Sequence, residues 1–148
     1  MFAIVLVVVM GVGAGAGVLM AKRTEERVGG SVIADGTPVG TFSFGVNDCA
    51  SGQAFDPGFF GVEVRGEADT ALRVVGTGDD AELLLYPQGV HSGAIKIHKT
   101  DCTEWDVRVD RAGVTVDDVS TVSGHVMVAC AIGGGKLTAV VDFERCAL

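Results

Sequence analysis

The sequence predicts an all-β domain, a two-sheet antiparallel β-sandwich of about eight or nine strands, preceded by one N-terminal transmembrane helix. Three observations carry this reading. Residues 2–21 form an apolar run without a charge. Beyond Gly30 the apolar residues recur with period two rather than 3.6. Turn-forming punctuation, such as Asp56-Pro57-Gly58, Gly76-Thr77-Gly78 and Gly133-Gly134-Gly135, separates those runs at intervals of about ten residues, the rhythm of sandwiches and small barrels.

The apolar run holds 20 residues, and at about 1.5 Å per residue a helix of that length spans about 30 Å of hydrocarbon. It is read as a signal anchor, residues 1–21, that crosses a membrane once. Gly11 with Gly15 and Gly13 with Gly17 set two overlapping small-residue spacings, the pattern that lets membrane helices approach closely. The membrane and a second copy of the chain are therefore expected partners. The same glycines imitate a dinucleotide-binding turn, but that motif needs a crossover helix and further βαβ units, and only strand-like segments follow. Ala14-Gly15-Ala16 has the form of a signal-peptidase site, and cleavage there would release a secreted soluble domain. No basic region precedes the run, and Val18, Leu19 and Met20 continue it past the cut, so an uncleaved anchor is the expectation.

Residues 22–30 read as a charged and glycine-bearing stalk and residues 31–148 as the β domain. Lys22, Arg23 and Arg27 follow the apolar run, and the positive-inside rule assigns their side to the cytoplasm. The cysteines argue the opposite. Cys49, Cys102, Cys130 and Cys146 all fall in the β domain and none forms a C-x-x-C pair, which fits two disulfides in an oxidising compartment better than a zinc site with closely spaced ligands. The cysteines are given the greater weight, which puts the domain in the periplasm or the extracellular space.

Within the domain, Phe42 with Phe44 opens the series of alternating runs. Phe60, Val62 and Val64 then alternate with Glu63 and Arg65, and Leu72 and Val74 flank Arg73. Residues 83–86 form an apolar strand, and Ile95 and Ile97 alternate with Lys96 and His98. Trp105, Val107 and Val109 set an apolar face against Asp106, Arg108 and Asp110, and Val114 with Val116 reads as a further strand. In the last two runs, a turn at residues 133–136 opposes Ile132 to Leu137, Val128 to Val141 and Val126 to Phe143 on one buried face. That register also opposes Cys130 to Ala139 and leaves Cys146 about 23 Å farther along at about 3.3 Å per residue. A disulfide needs its Cα atoms within about 7 Å, so Cys130–Cys146 is excluded. Two connectivities remain: Cys49–Cys130 with Cys102–Cys146, or Cys49–Cys146 with Cys102–Cys130. In outline the domain resembles small bacterial surface or lipoprotein-type sandwiches, although no lipobox cysteine follows the apolar run.

Nineteen acidic residues stand against 11 basic ones, for a formal charge of −8, which argues against a nucleic-acid partner and against a domain lying on anionic lipid. No nucleophile elbow, zinc-binding His-Glu-x-x-His or phosphate-binding loop occurs, and no catalytic, cofactor or metal residues are assigned. His98 and His125 fall on outward strand faces, and the acidic stretches at 79–82 and 117–118 lack the ligand spacing of a calcium loop, so they read as solvated turns. Phe55, Phe59 and Phe60, around Asp56-Pro57-Gly58, are the one aromatic concentration of the domain and are the candidate binding edge. The expected function is that of a binding or structural module of the cell envelope, with a protein partner or a second copy. A small hydrolase or metal-dependent enzyme with a loop-built site is the alternative class. A pocket joining a histidine to two carboxylates would favour the enzyme.

Overall fold

The period-two segments form strands throughout the computed structural model, which describes residues 26–67, 69–90 and 93–147. Ten strands follow one another: β1 (Arg27–Asp35), β2 (Phe42–Gly45), β3 (Asp48–Ser51), β4 (Gly61–Arg65), β5 (Ala71–Val75), β6 (Glu82–Tyr86), β7 (Ile95–Ile97), β8 (Cys102–Val116), β9 (Val119–Ile132) and β10 (Gly135–Cys146). They make two antiparallel sheets of five strands, β2-β1-β10-β9-β8 and β3-β4-β5-β6-β7, an arrangement compatible with the predicted sandwich. Among the described residues no helix is long and apolar enough to cross a membrane. The expected anchor, with Gly11, Gly13, Gly15 and Gly17, lies outside the described residues.

The count exceeds the expected eight or nine because β1 and β3 were not foreseen, while the runs around Trp105 and Val114 join in one 15-residue strand, β8. β1 takes in residues 27–30, the end of the segment that the sequence predicts as stalk. Its Gly30 has a φ of 117°, and a Cβ there would lie 2.0 Å from the Val140 carbonyl oxygen, so the glycine permits close strand pairing rather than looseness.

Alternation decides which residues meet. From the first sheet Val32, Leu137, Val141, Val126, Val128, Val107 and Val109 turn inward; from the second come Val62, Val64, Leu72, Val74, Leu83, Leu85 and Ile97. These side chains form one shared core, and burying each stabilises the fold by about 1.5–3 kcal/mol before the entropy of ordering is counted. Covalent and polar ties join the sheets, at two corners among others. At one corner the Cys49–Cys146 disulfide links β3 to β10, reinforced by the Ser51 N–H donating to the Ala147 carbonyl at 3.0 Å. At another the Trp105 Nε1–H donates to the Gly78 carbonyl at 3.0 Å, and the Val109 N–H donates to Thr77 Oγ1 at 2.9 Å. The second disulfide, Cys102–Cys130, staples the adjacent strands β8 and β9.

The β9–β10 hairpin buries the expected faces but in a register two residues away from the predicted one: Leu137 faces Cys130, Ala139 faces Val128 and Val141 faces Val126. A shift of two preserves every inward position, so the apolar pattern could not distinguish the registers. The turn decides. Gly133 and Gly134 make a two-residue connection with a φ of 59° at Gly133, the positive first position that matches the twist of a tight hairpin. The shift carries Cys146 farther still from Cys130.

At the opposite hairpin, β8–β9, Asp117 and Asp118 occupy the turn with φ of 48° and 65°. Glycine is strongly favoured at the second such position. Asp118→Gly is expected to raise stability by about 0.5–1 kcal/mol, read as a rise of a few degrees in the thermal midpoint. A lower midpoint would show that the Asp118 side chain contributes more than its backbone strain costs.

Candidate functional site

The outward face of the second sheet carries charge where the strand pattern predicts solvated side chains, and around Glu63 it is covered instead. Two cross-strand rows run over it: Asp48–Arg65–Ala71–Tyr86, and Ala50–Glu63–Arg73–Leu84–Lys96. The segment between β3 and β4 folds back over the rows. It begins with a short 3-10 turn, Gly52–Ala54, capped by Ser51 Oγ accepting from the Gln53 N–H. Gly52 lets the chain double back tightly, because a Cβ there would lie 2.4 Å from the Phe59 carbonyl oxygen.

Beneath that segment Glu63 is sealed from solvent, its side chain 2 % exposed. Arg65 Nε donates to Glu63 Oε1 at 2.7 Å, and Arg73 donates to Oε2 through Nε at 2.9 Å and Nη2 at 2.6 Å. Arg65 Nη1 also meets Asp48 Oδ2 at 3.1 Å. A buried carboxylate needs this degree of pairing to offset its lost hydration. Burial works to lower the pKa of the Arg65 guanidinium, but the hydrogen bond and charge of Glu63, followed by those of Asp48, outweigh it and hold the group above its ordinary value.

Aromatic rings wall in the same charges. The Arg73 guanidinium lies 4.7 Å from the ring centroid of Phe55, 5.0 Å from that of Phe59 and 5.5 Å from that of Tyr86. Phe55 and Phe59 stack on each other at 5.7 Å. Two of the three predicted edge residues are thus brought together. The third is not: Phe60 packs against the core, with Arg111 5.8 Å from its ring centroid. Phe55, Phe59 and Phe60 could be picked out as a local cluster, whereas Glu63, Arg65 and Arg73 could not. The charge alternation of β4 and β5 was visible, but opposing Glu63 to Arg73 requires the hairpin register.

A hollow of about 410 Å³ opens beside this cluster, lined by Phe55, Arg65, Asp69, Ala71, Gln88 and Val90 among others. Its floor exists because Ala71 stands between Arg65 and Tyr86 in the row, where a methyl group leaves unfilled the space a longer side chain would take. Neither described histidine lines it. His98 is exposed, 3.4 Å from Glu82, and His125 is half-buried with Nε2 2.9 Å from Asp106 Oδ1 but out of line for a hydrogen bond. His91 lies outside the described residues. Among the described residues no three acidic, histidine or cysteine side chains converge as metal ligands. Asp79 is held by Lys99 at 2.7 Å.

No family model, curated protein or solved structure matches this chain.

Proposed function

We propose that the chain is a single-pass membrane-anchored binding module of the cell envelope, with a two-sheet sandwich held in the periplasm or extracellular space and a ligand site on the outward face of its second sheet. The observation that carries the reading is the buried Glu63, which fixes Arg73 under the Phe55–Phe59 stack and Arg65 beside Phe55 and so pre-organises one wall of the hollow. Pre-organised polar groups beside an apolar wall are what small-ligand sites share, and about 410 Å³ falls in their usual size range. The two disulfides support an oxidising compartment. The enzyme alternative asks for a nucleophile and a base at the hollow, and the lining hydroxyl, Thr70 Oγ1, is engaged with the Glu67 carbonyl at 2.7 Å. The apolar residues 2–21 serve as anchor in this reading, with Gly11, Gly13, Gly15 and Gly17 available to pair with a second copy.

Placement is tested by Thr24→Cys in intact cells. The expected result is labelling by a membrane-impermeant thiol reagent before lysis. Protection until lysis would put the domain in the cytoplasm and overturn the reading.

A further inference from the structure

We infer that the hollow beside Ala71 binds a neutral, hydroxyl-rich ligand, a carbohydrate unit, rather than an anion or a cation. This rests on the binding-module reading above and names its ligand class.

The charges decide it. Arg65 is the only basic side chain lining the hollow among the described residues, and two carboxylates, Glu63 and Asp48, already hold it. Arg73, just behind, is committed to Glu63 through two hydrogen bonds. A carboxylate or phosphate ligand would find only the Nη2 corner of Arg65 open, on a guanidinium whose charge Glu63 and Asp48 already balance, while facing Asp69. At close range in a partly desolvated site each like-charge contact costs on the order of 1–4 kcal/mol. A cationic ligand meets the converse problem, with only Asp69 left to attract it, because Glu63 and Asp48 are engaged by Arg65 and Arg73. Neutral polar groups avoid both costs.

Hydrogen-bonding capacity points the same way. Arg65 uses Nε and Nη1 on protein carboxylates, which leaves its Nη2 as a fixed donor without a partner among the described residues. Asp69 supplies acceptors only, and the Gln88 amide supplies both a donor and an acceptor. A ring bearing adjacent hydroxyls, each able to donate and accept, satisfies a donor, an acceptor and an amide placed around one hollow. The apolar side of such a ring has a matching wall in Phe55 and in Val90, which is 40 % exposed. Burying aromatic and aliphatic surface against ring C–H groups adds to the hydrogen bonds.

The test uses the full chain in detergent on an immobilised glycan panel holding neutral oligosaccharides (glucose-, mannose- and N-acetylglucosamine-based) and acidic ones bearing uronate or sialate. Retention on neutral members is expected. Ala71→Leu, which projects a side chain into the hollow, should abolish it, and Gln88→Ala, an exposed change harmless to folding, should weaken it at least fivefold with an unaltered thermal midpoint. Retention on acidic members alone would overturn the neutral-ligand inference, as would neutral binding indifferent to both variants. If no glycan binds, a fragment screen read by amide chemical shifts separates the two ideas. Shifts at Ala71 and Gln88 with non-carbohydrate fragments would overturn the ligand class and keep the site. A silent hollow would overturn both.

Discussion

Glu63→Ala is expected to lower the unfolding free energy by about 3–5 kcal/mol, the range for removing one member of a buried ion pair. The loss does not measure a favourable pair energy. It arises because the Arg73 guanidinium, stacked among Phe55, Phe59 and Tyr86, would remain desolvated with no counter-charge. Replacing both partners, Glu63→Leu with Arg73→Leu, should therefore recover most of the loss, because an apolar pair of similar volume avoids the desolvation cost. Asp48→Ala should cost less than about 1 kcal/mol, since its contact with Arg65 is half-exposed and screened. Urea denaturation of the four proteins checks the set. A Glu63→Ala loss under 1 kcal/mol would mean that the cluster is wet and the segment over it open.

Replacing Cys49 and Cys146 together by alanine is expected to be the most damaging disulfide change. The pair is separated by 97 residues in sequence, and closing a loop of that length in the unfolded chain corresponds to about 4.7 kcal/mol in the chain-entropy model. Cys102–Cys130 closes 28 residues, or about 3.6 kcal/mol on the same basis. Against a typical domain stability of about 5–15 kcal/mol, the first loss brings the protein close to unfolding at physiological temperature. The bonds should also differ in accessibility to reductant. Cys49 and Cys146 are fully buried at the junction of the sheets, whereas Cys102 is partly exposed at the start of β8. Mild reduction followed by alkylation and peptide mapping should label Cys102 and Cys130 first. Preferential labelling of Cys49 and Cys146 would show that the corner joining β3 to β10 opens more readily than the β8–β9 edge.

Glu63 illustrates what a strand pattern can and cannot convey. Its alternation with Val62 and Val64 identified it as facing away from the core, and it does. The inference from outward to solvated failed because residues 52–60 fold back over that face. No local signal announces this: Gly52, which makes the reversal possible, looks in sequence like any turn glycine. β1 was missed for a related reason. Gly29 and Gly30 read as a flexible stalk, yet each pairs with β10, and the absence of a side chain at Gly30 serves the pairing.

The sequence by itself determined the all-β class, the inward faces of most strands, the glycine-rich segment in which the last hairpin turns and the incompatibility of Cys130 with Cys146. These depend on side-chain period and turn chemistry, which are local. Which of the two remaining disulfide pairings forms, the register of the last hairpin, and the burial of Glu63 under Phe55 and Phe59 were decided only in the tertiary structure. A two-residue slip leaves every face unchanged, so the hairpin register depended on the geometry of its turn. The disulfide pairing and the Glu63–Arg73 contact depend on how separate strands are ordered and registered within the two sheets, and the cover over Glu63 on the path of a loop, and no periodicity within one segment encodes either.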